Sequence, residues 1–318
     1  LSIISPQHGG TFIDCTFGQG GYSKAILKHP KTKVFALDRD PLVEKYAKDL
    51  LKKFPDRFKF IKDRFSNLSK IIRSDLNPRA IIFDLGLSTL QLSDNKRGFS
   101  FNSKNILNME MGINKYTAYD VVNNLHKKKL ANIIKILGDE KDGKKIANKI
   151  EIERKNKPIK TSKELAEIIR GAKKNYHNFK KNPATKTFQA IRIFVNQELT
   201  ELVLGLTEAS KLLPRGGMLI VISFHSIEDK IVKKFFNLHS NLRENSSRYL
   251  PVKENNFVLF NLKSKKPLTP NQKEINENIS SRSAKLRYGI RTNTSFFHPK
   301  EFKKNFATYL DLEEASLW

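Results

Sequence analysis

A series of short apolar segments constrains the fold most strongly, because each ends at an acidic residue and helical patterns separate them. Strands are predicted at Thr11 to Asp14, Lys33 to Asp38, Phe58 to Asp63 and Arg79 to Asp84. Helical patterns are found at Tyr22 to Lys28 and Pro41 to Phe54. Strands joined by helical crossovers form a parallel sheet, which binds ligands at the carboxyl ends of its strands. The sequence therefore predicts a doubly wound α/β sheet with acids at its ligand-binding edge.

A helical region interrupts this alternation after Gly86. Apolar residues follow helical spacing at Leu130, Ile133, Ile134 and Leu137. Thr161 and Glu164 have the spacing of an N-terminal capping box. Residues 126–186 include 19 basic and 7 acidic residues, so we predict an inserted all-helical domain with a cationic face. The lysines expected to bind RNA there are Lys127, Lys128, Lys129, Lys173 and Lys174.

The chain returns to the sheet after this insertion. One long helix is predicted from Ala184 to Leu213, followed by a strand from Met218 to Phe224. The stretch from Arg243 to Lys304 has 14 basic and 5 acidic residues and few helical signals, and we interpret it as an RNA-facing extension. The predicted domains are a first core part at 1–106, a helical substrate-recognition insertion at 107–186, a second core part at 187–240, and a basic extension completing the core at 241–318.

Charge and cysteine content narrow the class of protein. The 59 Lys and Arg against 32 Asp and Glu give a net charge of +27, which favours polyanionic partners, nucleic acid first and an anionic membrane surface second. The one cysteine, Cys15, excludes an internal disulfide, a cysteine-ligated zinc site and an iron–sulfur cluster, so a reducing compartment is expected. No apolar run is long enough to cross a bilayer.

A glycine-rich loop joins the first strand to the first helix. Its glycines are Gly18, Gly20 and Gly21. Asp38 ends the second strand 20 residues after Gly18, where a carboxylate accepts hydrogen bonds from ribose hydroxyls. A dinucleotide site would need glycine where Ser23 stands, and Asp14 suits an ammonium group better than a pyrophosphate. S-adenosylmethionine has a ribose and an ammonium, so a methyltransferase is favoured over a nicotinamide oxidoreductase.

Several blocks together resemble one family over nearly the whole chain. They are Asp14 to Tyr22, Ala36 to Pro41, Asp84 to Ser88 with Gln91, Arg97 to Phe101, Pro183 to Arg192, Ile222 to Asp229 and Arg282 to Arg287. The chain resembles the MraW/RsmH family, whose members methylate N4 of a cytidine in the decoding centre of small-subunit ribosomal RNA. The resemblance implies a class I S-adenosylmethionine-dependent methyltransferase core, Rossmann-like, with an inserted helical domain.

The resemblance also implies site residues. The expected cofactor contacts are Gly18, Gly20, Gly21, Tyr22, Asp38, Phe65, Asp84 and Gln91. The expected RNA contacts are Arg97, Phe99, Phe101, Arg192, Arg282, Lys285 and Arg287. Structural alternatives stay open, because Phe65, Phe99 and Phe101 also suit a core and Asp84 also suits a strand end or a helix cap.

Three departures from the family pattern stand out. Tyr22 replaces a histidine, and Leu107 to Met111 reads Leu-Asn-Met-Glu-Met where the family has Leu-Asp-Met-Arg-Met. In the second departure, Asn108 stands where the family has a carboxylate and Glu110 stands where it has a cation. These changes affect any catalytic or phosphate-binding role of this block and therefore bear on whether the protein turns over. The chain begins at Leu1 without the family's N-terminal His-x-Pro-Val segment, as expected of a fragment.

The expected reaction needs a positioned amine and a proton acceptor. Cytosine N4 is a poor nucleophile because its lone pair is delocalised, so positioning and proton acceptance must supply much of the rate. Ser88 and His225 are the candidate catalytic residues, and no metal is needed. The segment Ser223 to Asp229 invites a hydrolase interpretation, but G-x-S-x-G is missing, and a helix cap at Ser226 with Asp229 explains the pattern.

Two alternatives remain at this point: a methyltransferase of the same fold acting on another RNA, and a non-catalytic RNA-binding factor in ribosome assembly. The expected partner is small-subunit rRNA or an assembling 30S-type subunit. A bacterial cytoplasm is favoured over a mitochondrial matrix. The oligomeric state stays open, with a dimer among the alternatives.

Overall fold

The computed structural model describes residues 1–173, 182–240, 258–297 and 300–314. They form two compact units. The sheet unit comprises Leu1–Gly86 and the described part of Glu201–Phe306, and the helical unit comprises the described parts of Leu87–Thr200 and Ala307–Trp318. The predicted insertion at 107–186 lies within the range of the helical unit, which extends beyond it on both sides. Lys174 and residues 241–257 of the basic extension lie outside the described residues.

Seven strands form the sheet. They are β1 (Gly10–Asp14), β2 (Thr32–Asp38), β3 (Phe58–Lys62), β4 (Ala80–Asp84), β5 (Met218–Ser223), β6 (Phe260–Asn261) and β7 (Lys285–Arg291). Their order is β3-β2-β1-β4-β5-β7-β6. The first five are parallel, and β7 runs antiparallel to both β5 and β6. The predicted class I methyltransferase fold is confirmed, and the strand order reverses between β1 and β4, where ligands of such sheets bind.

Fourteen helices are found in the described ranges. They are α1 (Gly21–Leu27), α2 (Glu44–Lys53), α3 (Leu68–Ile71), α4 (Thr89–Ser93), α5 (Ala118–Asn124), α6 (Lys127–Leu137), α7 (Gly143–Asn156), α8 (Ser162–Ala172), α9 (Thr185–Asn196), α10 (Glu198–Leu212), α11 (Ser226–His239), α12 (Gln272–Glu277), α13 (Lys300–Lys304) and α14 (Ala307–Glu313). The predicted strands and helices are confirmed to within a few residues. The third strand ends one residue before Asp63, and the predicted capping box of Thr161 and Glu164 starts α8.

The single helix predicted from Ala184 to Leu213 is wrong. It is two helices, α9 and α10, separated at Gln197, whose φ of 50° is left-handed. Apolar periodicity continues across the break because both helices bury one side, so the pattern does not reveal it. A buried amide explains the position of the break, since the Asn196 side chain binds Met109 O and Met111 N at 2.8 Å each.

The C-terminal stretch from Arg243 to Lys304, in which the sequence shows few helical signals, contains more helix than predicted. Helix α12 forms there, and the Asn271 side chain caps it by accepting a hydrogen bond from the Glu274 N–H at 2.8 Å. A 3₁₀ turn follows at Ile279–Ser283. These elements are too short to show a helical periodicity of apolar residues, so their capping residues are the sequence signal that predicts them.

Among the described ranges, no helix combines the length and apolar character that a membrane span requires.

Candidate active site

The glycine-rich loop after β1 has a backbone that only glycine adopts easily. Gly18 and Gly20 have φ values of 53° and 76°. A Cβ on Gly20 would lie 2.7 Å from the Phe17 ring, whereas a Cβ on Gly21 would meet nothing within 4 Å. The Gly20 N–H donates to Phe17 O at 2.7 Å and tightens the turn. The loop is therefore closely packed on one side and open at Gly21.

Asp38 ties this loop to the end of β2. Its Oδ2 accepts a hydrogen bond from the Gly18 N–H at 2.8 Å, and its Oδ1 accepts from the Asp40 N–H at 2.9 Å. Burial raises the pKa of Asp38 to about 6. Each carboxylate oxygen has a second lone pair, so the group can hold the loop and still accept hydrogen bonds from a ligand.

Asp14 is a structural acid. It is fully buried, and the Ser23 hydroxyl donates to its Oδ2 at 2.7 Å. Burial raises the pKa of Asp14 despite this bond. The sequence argument that Asp14 faces an ammonium group is not supported, because this carboxylate points into the fold and binds the first helix instead.

Asp84, at the end of β4, has a carboxylate oxygen whose hydrogen-bonding capacity is unused within the described part of the chain. Its N–H donates to Thr16 Oγ1 at 2.7 Å, and the Tyr22 hydroxyl donates to its carboxylate. Its Oδ1 is buried and has no hydrogen-bond partner among the described residues. Burial, followed by the charges of Asp14 and Glu228, raises the pKa of Asp84 to about 7.

A buried acceptor without a partner is costly, roughly 1–3 kcal/mol. Such an atom at the carboxyl end of β4 fits a cationic hydrogen-bond donor, as the ammonium of S-adenosylmethionine would be. Burial and the negative charge of Asp84 also raise the pKa of the Tyr22 hydroxyl, which therefore stays protonated and keeps donating.

Phe65 follows β3 and is half buried. Its ring meets Phe83 edge-on, with centroids 5.2 Å apart. A Cβ on Gly205 would lie 2.5 Å from the Phe65 ring, so the absence of a side chain in α10 makes room for it. The ring packs into the core on one side and keeps some exposed surface at the ligand-binding edge, so both sequence interpretations of Phe65 retain support.

Ser88 and Gln91 start helix α4. The Gln91 N–H donates to Ser88 Oγ at 3.3 Å, and the Ser88 N–H donates to Gln91 Oε1 at 3.0 Å. This reciprocal capping box gives both side chains a structural role. A catalytic role of Ser88 as an acceptor for the amine and cofactor contact by Gln91 remain predictions.

His225 caps helix α11, so the predicted cap at Ser226 with Asp229 is one residue out of register. The Glu228 N–H donates to His225 Nδ1 at 3.4 Å, and Glu228 Oε2 accepts from the His225 N–H at 3.3 Å. His225 Nε2 lies 3.1 Å from Glu228 Oε1. The pair belongs to the same edge of the sheet as Asp84, because β4 and β5 are neighbouring parallel strands with Asp84 opposite Ile222, and His225 follows the end of β5.

Two predicted RNA contacts on β7 are ion-paired within the fold. Asp229 of α11 binds Lys285 Nζ at 3.0 Å and Arg287 Nε at 2.8 Å. Burial would raise the pKa of Asp229, but these two hydrogen bonds outweigh it and hold the pKa below its usual value. Arg287 has only 11% of its side chain exposed. Arg282, by contrast, is exposed.

The remaining predicted RNA contacts lie in the helical unit. Arg192 binds Glu198 with two hydrogen bonds of 2.7 and 2.8 Å. Arg97 donates to the carbonyl of Glu110 and lies 5.6 Å from the centroid of the Phe99 ring. Phe99 is buried, which favours its core interpretation over stacking on a base. Phe101 is half buried and meets Phe188 edge-on at 4.8 Å.

The two departures at 108 and 110 contact each other. The Asn108 amide donates to Glu110 Oε2 at 2.8 Å, and the Glu110 N–H donates to Asn108 Oδ1 at 2.7 Å. Met109 between them has a φ of 59° and is buried. An amide–carboxylate pair thus occupies positions where the family has a carboxylate and a guanidinium, and its contacts are local to the helical unit.

The structure brings one group of predicted residues together in the sheet unit. These are Gly18, Gly20, Gly21, Tyr22, Asp38, Phe65, Asp84 and His225, all at the carboxyl ends of the parallel strands or just after them. Sequence reasoning missed three side chains of this edge: Thr16, Ser23 as the partner of Asp14, and Glu228. Position is the one sequence signal for Thr16 and Glu228, which follow β1 and β5 within a few residues, whereas Ser23 lies in α1 and has no such signal.

Comparisons with known proteins cover most of the chain. A model of the MraW methylase family matches residues 1–291. The chain is 43% identical over 290 residues to the ribosomal RNA small subunit methyltransferase H of a Wolbachia strain from Drosophila simulans, covering 90% of this chain and 94% of that protein. It is 44% identical over 290 residues to the protein of the same name from Sulfurihydrogenibium, covering 89% and 93%. A solved rRNA methylase from Streptococcus thermophilus is 12% identical, with a TM-score of 0.36, covering 89% of this chain and 87% of that chain.

Proposed function

We propose that this protein, which belongs to the MraW methylase family, transfers a methyl group from S-adenosylmethionine to N4 of a cytidine in the decoding centre of small-subunit rRNA. The match to the family model over residues 1–291 carries the proposal. The ordered sequence blocks support the choice of atom and RNA. The net charge of +27 supports a polyanionic substrate.

The edge of the sheet suits this cofactor. Asp38 would hold the ribose, Phe65 would lie against the adenine, and the open backbone at Gly21 would approach the ligand. Asp84 Oδ1, buried without a partner among the described residues, would accept a hydrogen bond from the ammonium. When bound, the cofactor supplies a methyl group on a sulfonium, a strong electrophile.

The chain's own residues must orient the amine and take its proton. N4 loses one proton when the N–C bond forms; His225 is the proposed base, and Ser88 is the proposed hydrogen-bond acceptor that orients the amine. Both ring nitrogens of His225 face Glu228, with Nδ1 3.4 Å from its backbone nitrogen and Nε2 3.1 Å from its Oε1, so proton acceptance by His225 requires the ring to leave one of these contacts. A target base must be unpaired to reach such a site, and RNA recognition of this kind uses loops and junctions.

The proposed partner is small-subunit rRNA or an assembling small subunit, in a bacterial cytoplasm. Arg97, Phe101, Arg282 and Lys285 remain proposed RNA contacts. Arg192 and Arg287 are less suited, since their guanidinium groups are engaged in buried ion pairs.

The product decides between this function and its alternatives. Incubating the protein with labelled S-adenosylmethionine and undermethylated small subunits, then digesting the RNA to nucleosides, should yield N4-methylcytidine. Label on adenine, on cytosine C5 or in another RNA would indicate a same-fold methyltransferase with a different substrate. RNA binding without any transfer, with cofactor bound, would indicate the non-catalytic assembly factor.

Replacing Asp38 by alanine should weaken S-adenosylmethionine binding by about tenfold or more. The variant loses hydrogen bonds to a charged acceptor, worth roughly 1.5–3 kcal/mol, and frees the Gly18 N–H that anchors the loop. Calorimetric titration measures the effect. The matched control is Asp75→Ala, which removes an exposed carboxylate paired with Arg73 and should leave affinity unchanged. Equal affinity in a folded Asp38→Ala protein would remove Asp38 from the site.

A further inference from the structure

We infer that the helical unit binds RNA phosphates through one surface of α6, formed by Lys127, Lys128, Lys129 and Lys135 and called here the α6 lysine surface. The inference rests on the proposed rRNA substrate and names the part of the protein that recognises its backbone. It replaces the broader expectation that the whole insertion presents a cationic face. Most cations of α7 and α8 already have acidic partners and are therefore less available to RNA phosphates.

Most cations on the neighbouring helices have acidic partners. In α7, Lys149 pairs with Glu153 at 2.8 Å, and Arg154 and Lys155 both pair with Glu151. In α8, Glu167 lies 3.9 Å from both Lys163 and Arg170. Cations neutralised by their own helix attract a phosphate weakly, so these helices contribute less to RNA binding than their composition implies.

Lys173, expected from the sequence to bind RNA, is buried. Its Nζ lies 2.6 Å from Glu140 Oε2 and 2.5 Å from the carbonyl of Pro183. Only 5% of its side chain is exposed. This ammonium fastens the end of α8 to the residues before α9, and it is unavailable to a ligand.

Helix α6 differs from these neighbours. It has four lysines and no acidic residue. All four are exposed, while Leu130, Ile133, Ile134 and Leu137 are buried on the opposite side. Among the described residues, Lys127, Lys128 and Lys135 have no ion-pair partner. Lys128 and Lys135 are two helical turns apart on one face, about 10 Å along the axis.

The position of these lysines is unfavourable for the folded protein alone. Lys127, Lys128 and Lys129 fill the first turn of α6, which has no acid to balance the positive end of the helix dipole. A run of like charges there disfavours the helix, and Lys127 and Lys128 have no ion-pair partner among the described residues to offset it. A local rule broken without a structural gain is expected at a functional surface. An anionic backbone supplies the missing counter-charge.

The test compares two double variants with the same loss of charge. Lys127→Gln with Lys128→Gln alters the α6 lysine surface, and Lys149→Gln with Lys155→Gln removes two paired lysines of α7. Binding of a 30-nucleotide single-stranded RNA is measured across a salt series. The α6 variant should lose about tenfold in affinity and its slope of log affinity against log salt should flatten by about 1.4, two phosphates at about 0.7 each. The α7 variant should change less than about twofold.

A second readout separates binding from folding. The α6 variant should melt at the same temperature as the wild type or higher, because it relieves the charge at the helix start, whereas a damaged fold would melt lower. Equal losses in both variants, or none in either, would overturn the inference. Tighter binding of the wild type to phosphatidylserine vesicles than to RNA would also overturn it. Methyl transfer by the wild type to undermethylated small subunits is measured in parallel, so failure of the proposed function is seen independently of the α6 contrast.

Discussion

Gly20→Ala should lower the affinity for S-adenosylmethionine by about a hundredfold or more. At a φ of 76°, an alanine is in the left-handed region, which costs roughly 1–2 kcal/mol. Its Cβ would also stand 2.7 Å from the Phe17 ring. That ring cannot retreat easily, because it packs between Phe58 and Phe60 with centroids 5.6 and 5.4 Å away. Overpacking of this kind costs about 1–3 kcal/mol. The loop must therefore shift, and its anchor on Asp38 shifts with it.

Two other glycine-to-alanine variants control this result. Gly171→Ala lies in α8, where a Cβ meets nothing within 4 Å, so it should leave the affinity unchanged and should raise the melting temperature rather than lower it, since alanine favours a helix more than glycine does. Gly21→Ala also has open space and no left-handed φ, so it should leave the fold intact. If Gly21 lines the cofactor site, its new methyl group occupies ligand space and affinity falls while stability does not. Unchanged affinity in Gly20→Ala, measured by calorimetry on folded protein, would contradict the placement of the site at this loop.

The sheet edge was predictable from the sequence for a physical reason. Short apolar strands that end in an acid alternate with helical segments along the chain. This pattern is local, so Asp38 and Asp84 could be placed at strand ends without any tertiary information. The resemblance added Tyr22, and the structure pairs its hydroxyl with Asp84. What the sequence could not show is which acid keeps an oxygen without a partner. Asp14 and Asp84 end neighbouring strands, and their contacts distinguish them. Asp14 accepts hydrogen bonds from the Ser23 hydroxyl and the Thr16 N–H, whereas Asp84 Oδ1 has no partner among the described residues.

The cationic residues were harder to interpret, because a count of charges does not show their partners. Arg287 and Lys173 read as surface cations in the sequence, yet one pairs with Asp229 and the other with Glu140. These acids lie 58 and 33 residues away along the chain. Pairing at such distances follows from tertiary packing alone. Asn108 and Glu110 differ, since they lie two residues apart and contact each other across Met109, whose backbone is left-handed.

Glu313→Ala should lower the free energy of unfolding of the helical unit by about 3 kcal/mol. Glu313 ends helix α14 and is buried. Its carboxylate accepts hydrogen bonds from the Leu199 N–H at 3.0 Å, the Thr200 N–H at 2.7 Å and the Thr200 hydroxyl at 2.5 Å. It thereby caps α10 just after the break at Gln197. Removing it leaves buried donors without an acceptor, at roughly 1–3 kcal/mol each when nothing replaces it. Urea unfolding, monitored by circular dichroism, measures the loss.

The adjacent acid provides the control. Glu314 is exposed, and Glu314→Ala removes the same charge one residue later without touching the start of α10. It should change stability by less than about 0.5 kcal/mol. Equal stabilities for the Glu313→Ala and Glu314→Ala proteins would show that the carboxylate cap contributes nothing to the helical unit.

The carboxyl group of Glu313 should also make the free energy of unfolding depend on pH. The direction of that dependence shows whether the buried group is protonated in the folded state. Burial raises the pKa of Glu313 to about 8, from an ordinary value of 4.5, although its hydrogen bonds oppose the shift. Between these values the folded state binds a proton that the unfolded state has lost, so this contribution to stability is complete below about pH 4.5 and is lost as the pH rises to about 8. Glu313→Gln cannot titrate and lacks this term. The free energy of unfolding of the wild type minus that of Glu313→Gln should therefore fall as the pH rises from about 5 to about 8.5. The buried acids Asp14, Asp38 and Asp84 titrate alike in both proteins and cancel from the difference. If the wild type instead gained stability relative to Glu313→Gln as the pH rose, Glu313 would be ionised in the folded state and would cap α10 as an anion.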